Sequence, residues 1–220
     1  GEQVSIDNYR QLVYKVEAES LLAVSGKRLM DTYLWSATFE AMTNEEIVEF
    51  LNRGKFDRVL LSTGTGDSLI PKAERFIEMA HQNNILIDLM IGDNNLLLEG
   101  HEEEIRKLFR RAVKLKADGV HMDVEPQTKN DWDERKDEYL QQYQKFLVTA
   151  ASYAEKSQLP LSISIPVYYD AVLPELAENA DRIYVMAYGS DDSGKVEERL
   201  KSEKDVLGDK LIIALRPSDF

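Results

Sequence analysis

Near the middle of the sequence, Asp118-Gly119-Val120-His121-Met122-Asp123-Val124-Glu125-Pro126 alternates apolar and ionisable residues. In an extended strand successive side chains face opposite sides. Val120, Met122 and Val124 therefore share one face, and His121, Asp123 and Glu125 share the other. Burying three ionisable groups on one strand face costs several kcal/mol unless they are paired, hydrogen-bonded or in use. A strand that carries them, with its last carboxylate directly before a proline, reads as the floor of an active site.

On both sides of this stretch, short apolar runs alternate with amphipathic stretches. Strands are expected at residues 29–35, 58–62, 85–91, 119–124, 161–165, 182–187 and 211–215. Thr43-Asn44-Glu45-Glu46 has the form of a capping box ahead of Ile47, Phe50 and Leu51. Asp67 and Ser68 precede Pro71 and the series Ile70, Ala73, Phe76, Ile77 and Ala80. Asp131 with Glu134 opens the longest helix, whose stripe Tyr139, Leu140, Tyr143, Phe146, Leu147, Ala150 and Ala151 has the spacing of a buried helical face. A further helix within residues 6–22 is expected to pack on the body formed by residues 29–220. Repeated strand–helix alternation implies a parallel sheet with helical crossovers, either a (β/α) barrel or an open doubly wound sheet.

Side-chain phase separates the two. An open sheet with helices on both faces reads apolar on both. Here Ile85, Ile87, Leu89 and Ile91 share one face, as do Leu161, Ile163, Ile165 and Val167, and Ile183, Val185 and Ala187. The opposite faces carry Asp88; His121, Asp123 and Glu125; Ser162 and Ser164; Tyr184, Met186 and Tyr188; and, from the first strand, Asp31, Tyr33 and Trp35. A polar, aromatic face shared by several strands fits a TIM-type (β/α) barrel whose interior is its site. Catalytic groups of such barrels sit at the C-terminal strand ends, which is where Glu125 falls. Seven strands are read, one short of a full barrel.

The composition narrows the function classes. The chain has 220 residues, a net charge of −13 and no cysteine. Its acidity, with Lys and Arg interspersed among acids, speaks against nucleic acid as a partner. Disulfides and thiolate chemistry are excluded, and no apolar run approaches the ~18 residues of a membrane span. The sequence begins with Gly1 and not Met, compatible with a removed leader and a secreted or cell-envelope location. Ser62-Thr63-Gly64-Thr65-Gly66-Asp67 lacks the lysine of a phosphate loop and reads as a glycine-rich turn. His81 and His101 fall on surface helices.

The stretch 118–125 resembles the DGxDxDxE signature of glycoside hydrolase family 18, the chitinase-like family, and Ile183-Tyr184-Val185-Met186-Ala187-Tyr188 resembles that family's sixth strand. The resemblance implies a barrel that cleaves an N-acetylhexosamine glycan with retention, the substrate's acetamido group serving as nucleophile. It implies Glu125 as general acid, Asp123 as the group that orients the acetamido, and Tyr188 as a hydrogen-bond donor to the acetamido carbonyl. His121, Trp35, Tyr33, Asp88, Tyr168, Met186 and Arg216 are the further candidates for contacting a carbohydrate. Neither a cofactor nor a metal ion is expected. This sequence departs from the pattern at His121, where the family has an Asp, at Gly189 after the sixth strand, and in Met90-Ile91-Gly92-Asp93 on the third. Two alternatives stand beside the glycosidase: a non-catalytic carbohydrate-binding barrel, and a metal-dependent hydrolase using His121, Asp123 and Glu125. Three ligands from one straight strand converge poorly, since successive residues on one face lie ~6.5–7 Å apart.

Overall fold

All seven expected strands form in the computed structural model, which describes residues 30–98, 100–190 and 192–216. They are β1 (Asp31–Leu34), β2 (Arg58–Ser62), β3 (Leu86–Ile91), β4 (Gly119–Met122), β5 (Leu161–Pro166), β6 (Arg182–Met186) and β7 (Leu211–Ala214). Each pairs in parallel with the next, in sequence order. The sheet is strongly curled. In a flat sheet β1 and β6 would stand roughly 24 Å apart at the usual inter-strand spacing, yet the Tyr184 hydroxyl on β6 donates to Asp31 Oδ2 on β1 at 2.6 Å. The result is the expected (β/α) barrel, and among the described residues it stays open between β1 and β7. The helix expected within residues 6–22 lies outside the described residues.

Helices cover the outer face: α1 (Ser36–Ala41), α2 (Asn44–Gly54), α3 (Ile70–Gln82), α4 (Glu102–Leu115), α5 (Trp132–Ser157), α6 (Leu173–Asn179), α7 (Ser193–Arg199) and α8 (Lys201–Leu207). Val59, Leu61, Ile87, Leu89, Val120, Met122, Ile163, Ile165, Ile183 and Val185 point outward into one core with Phe39, Phe76, Phe109, Tyr143 and Phe146 from the helices. The capping box at Thr43 and Glu46 forms in both directions. Two other start signals act differently. Asp67 does not cap α3; its carboxylate takes Arg111 of α4 at 2.6 Å. Asp131 does not cap α5; it accepts from Arg135 and from the Tyr139 hydroxyl. In both cases a nearby guanidinium outcompetes the exposed backbone N–H groups for the carboxylate.

Inside the curl lies a second, smaller cluster of Leu60, Met90, Tyr184 and Ala214, bordered by Tyr33, Met186, Tyr188 and Ile212. The end of the interior near the strand N-termini is closed by charge. Asp88 is fully buried, with Arg58 on one oxygen at 2.5 Å and Arg182 on the other at 2.6 Å. This explains Gly119, opposite Asp88 in the ladder. A Cβ there would sit 2.7 Å from Asp88 Oδ1, so a side chain would break the ion triad.

Candidate functional site

β4 delivers its polar residues to the interior in the order the alternation requires. His121 is fully buried within the strand. One pleat on, Asp123 is still on the ladder through its N–H to Ile91 O at 2.8 Å. Glu125 then stands where the chain turns into the short 3-10 segment Pro126–Thr128.

Loop contacts fix the Glu125 backbone. The Asn94 side chain accepts its N–H at 2.6 Å and donates to its carbonyl at 2.9 Å, so one amide reproduces a step of strand pairing beyond the end of β3. Thr128 Oγ1 donates to the same carbonyl at 2.7 Å. The carboxylate is held separately. Gln127 Nε2 donates to Glu125 Oε2 at 2.9 Å, and the Tyr169 hydroxyl donates to Gln127 Oε1 at 2.7 Å. Tyr169 is itself wedged, stacked on Trp132 at 5.9 Å and edge-on to Tyr143 at 5.9 Å. Glu125 is half-buried, and burial, with the Asp123 charge adding, pushes its pKa up to about 6.

Asp123 is buried, and its Oδ1 has no hydrogen-bond partner. Burial raises its pKa while the Ser164 hydroxyl acts in the opposite direction. His121 pairs with serines of β5: Nδ1 with Ser162 Oγ at 2.9 Å and Nε2 with Ser164 Oγ at 2.9 Å. Tyr33 and Tyr184 meet its ring edge-on at 5.6 and 5.1 Å. Burial, with Arg182 adding, drives its pKa down to about 3, so it is neutral at ordinary pH. Both ring nitrogens are thus occupied, and among the described residues no group of three His, Cys, Asp or Glu side chains converges as a metal-holding set.

The other candidates divide into those the structure brings to this end and those it does not. The Tyr33 hydroxyl shares a hydrogen bond with Ser164 Oγ at 2.8 Å, and Trp35 is stacked on the Tyr33 ring, with ring centres 6.5 Å apart. Trp35 is 47% exposed at the rim, and Gly92 leaves room for it: a Cβ there would lie 3.3 Å from the indole and 3.4 Å from Asp123 O. Tyr168 is also exposed at the rim, and its phenol pKa is raised by burial and then by Glu125. Tyr188 and Met186 border the inner cluster, and Arg216 lies over the Tyr188 ring at 5.5 Å. Asp88 is not at this end, and its partners are Arg58 and Arg182. His81 pairs with Asp118 at 2.8 Å, away from the interior. Asn94 and Gln127, which hold Glu125, were not among the sequence candidates, because both lie in turns without periodicity. Tyr169, an aromatic expected at a strand end where sugar rings stack, is instead buried and braces Gln127.

No family model matches the chain, and no curated protein matches it by sequence. Solved structures do match. A chitinase from Bacteroides thetaiotaomicron superposes with a TM-score of 0.64 at 16% identity, covering 84% of this chain and 66% of its own. A chitinase from Chromobacterium violaceum ATCC 12472 gives 0.61 at 14%, covering 84% and 68%. A mutant class V chitinase from Nicotiana tobaccum, in complex with NAG4, gives 0.59 at 14%, covering 85% and 66%. The chain spans about two thirds of the length of these solved chains. At such identities the likeness establishes the fold, which is the TIM-type barrel of the chitinases.

Proposed function

We propose that the protein is a retaining glycosidase acting on an N-acetylhexosamine glycan, with the substrate's acetamido group as the nucleophile. The observation that carries this reading is a pair of neighbouring carboxyls in unlike settings: Glu125, half-buried with a pKa near 6, and Asp123, buried with one unpartnered oxygen. Two carboxyls tuned apart by environment are the recurring basis of glycoside cleavage.

Glu125 keeps a proton under mildly acidic conditions and can give it to the glycosidic oxygen. Its Oε2 already accepts from Gln127, so the transferable proton belongs on Oε1. As the bond from C1 to the leaving oxygen breaks, the acetamido carbonyl oxygen bonds to C1. Asp123 Oδ1 accepts the acetamido N–H and offsets the positive charge on the new ring. Tyr188 donates to the acetamido carbonyl. The Glu125 carboxylate then takes a proton from water, which opens the ring with overall retention. Trp35 and Tyr168 offer exposed aromatic faces on which sugar rings stack. The shared fold with chitinases, one of them solved with NAG4 bound, supports the same substrate class.

Oligomers of N-acetylglucosamine and their deacetylated counterparts, assayed with and without chelator, test this reading. Cleavage of the acetylated series alone, unaffected by chelator, is the expected result. Binding of the acetylated oligomer without turnover would replace the enzyme by a carbohydrate-binding barrel, and loss of turnover on chelation would replace it by a metal-dependent hydrolase.

A further inference from the structure

Where β3 ends, a side chain takes over its pairing with the chain beyond β4. Asp123 N–H donates to Ile91 O at 2.8 Å, and Ile91 is the last residue of β3. The chain then turns away through Gly92-Asp93-Asn94, the place where the third strand departs from the family pattern. A 3-10 turn, Asn94–Leu97, starts there, capped by the Asp93 carboxylate, which accepts Asn95 N–H at 2.9 Å. Leu96 and Leu97 of this turn are buried in the core, so the Asn94 backbone is anchored. Its side chain reaches back to residues 125–128. Oδ1 accepts Glu125 N–H at 2.6 Å, and the two hydrogens of Nδ2 go to Glu125 O and to Thr128 Oγ1, each at 2.9 Å. The amide can sit only this way round, since a backbone N–H only donates and a carbonyl only accepts.

We infer that Asn94 is a positioning residue, its amide standing in for the next residue of β3 and holding segment 125–128, with the Glu125–Gln127 pair, in register with the barrel. The backbone bonds of that segment, from Thr128 N–H to Glu125 O and from Lys129 N–H to Pro126 O, both at 3.0 Å, are local. They shape the turn without placing it. Among the described residues, the hydrogen bonds that tie it to the rest of the barrel run through two side chains, Asn94 on the Glu125 backbone and Tyr169 on Gln127. Two such anchors fix a short turn in rotation as well as in position. With Asn94 removed, the turn keeps one anchor and the Glu125 carboxyl is free to swing. Gly92, two residues before Asn94, is the seat of Trp35, so a single turn carries both the exposed indole and the clamp on Glu125. The effect on turnover rests on the glycosidase reading; the clamp does not.

The test pairs amide hydrogen exchange with kinetics, both on the whole protein. In Asn94→Ala the Glu125 N–H loses its acceptor and should exchange at least ~10-fold faster, the equivalent of one hydrogen bond. Asn94→Asp keeps an acceptor for that N–H, and its second oxygen can take the Thr128 hydroxyl, so exchange should stay close to the wild-type rate. The amides of Val120 and Met122 inside β4 should be unaffected in both variants, which shows that the barrel is folded. On an N-acetylglucosamine oligomer, kcat of Asn94→Ala should fall ~10- to 10²-fold with KM within about twofold, the signature of a misplaced reacting group and not of a lost sugar contact. Equal exchange of Glu125 N–H in the wild type and folded Asn94→Ala would overturn the clamp. Faster exchange with kcat unchanged, or a loss confined to KM, would overturn the positioning role. A wild type that cleaves no glycan would overturn the glycosidase reading and the effect on turnover with it, while the exchange rates would still decide the clamp.

Discussion

Gln127 donates its side-chain amide to Glu125 Oε2 at 2.9 Å, and it can point only that way because Tyr169 occupies its carbonyl oxygen at 2.7 Å. The amide therefore cannot flip without losing a buried donor. It stabilises the ionised form of Glu125 and leaves Oε1 as the oxygen free to carry a proton. Replacing Gln127 by Leu removes a hydrogen bond to a charged group, an effect of about 1.5–3 kcal/mol. The anion is then less favoured, so the Glu125 pKa rises above about 6. The alkaline limb of the pH–rate profile should move upward, and kcat should fall. A profile unchanged in both would show that Gln127 only packs.

Asp123→Asn tests the charge coupling in the opposite direction. The negative charge of Asp123 is the second cause, after burial, of the raised Glu125 pKa. Without it, ionising Glu125 becomes easier and its pKa falls. The alkaline limb of kcat/KM should move to lower pH. Turnover should drop at least ~10²-fold, on the scale of removing one preorganised electrostatic contact to a developing charge.

Asp88→Asn should damage stability and spare the chemistry. The substitution leaves Arg58 and Arg182 largely buried without their counter-charge, and breaking a buried ion pair from one side costs about 3–5 kcal/mol. Chemical denaturation should show the loss, while turnover per folded molecule stays near that of the wild type, since Asp88 lies at the end of the interior away from Glu125.

His121 makes folding sensitive to acid. Its folded pKa is lowered to about 3 against an ordinary value near 6.5. Between those values the unfolded chain binds the proton and the folded one does not, so stability falls as the pH drops through that window. Glu125, raised to about 6, acts with the opposite sign above its ordinary value and offsets part of the slope. In His121→Gln the imidazole contribution disappears, and its stability should therefore fall less from pH 6.5 to 4 than that of the wild type. Equal slopes, measured by denaturation across that range, would contradict the burial of a neutral imidazole.

The barrel was legible because a strand exposed to two different environments writes them in alternate letters. Ile163 and Ile165 face helices while Ser162 and Ser164 face the interior, and the same phase set His121, Asp123 and Glu125 together. It failed where geometry comes from turns. Asn94 and Gln127 hold Glu125 through loops whose shape follows from no period, and nothing in the sequence ties Tyr169 to Gln127. Partner choice was equally hidden. The strand alternation puts His121 on the inward face without saying what it meets there, and the two serines of β5 take both ring nitrogens. Asp88 was read as facing the site because the inward face runs the full length of the strand. Only the register, with Asp88 opposite Gly119, sets it at the far end.

Hydrolysis of an N-acetylglucosamine oligomer by the wild type and by Glu125→Gln decides whether Glu125 is the proton donor. The substitution keeps the shape and the Asn94 backbone clamp but removes the transferable proton. We predict a loss of at least ~10²-fold in kcat, the usual worth of general acid catalysis, with oligomer binding retained. Equal turnover by a folded Glu125→Gln protein would mean that Glu125 is not the proton donor.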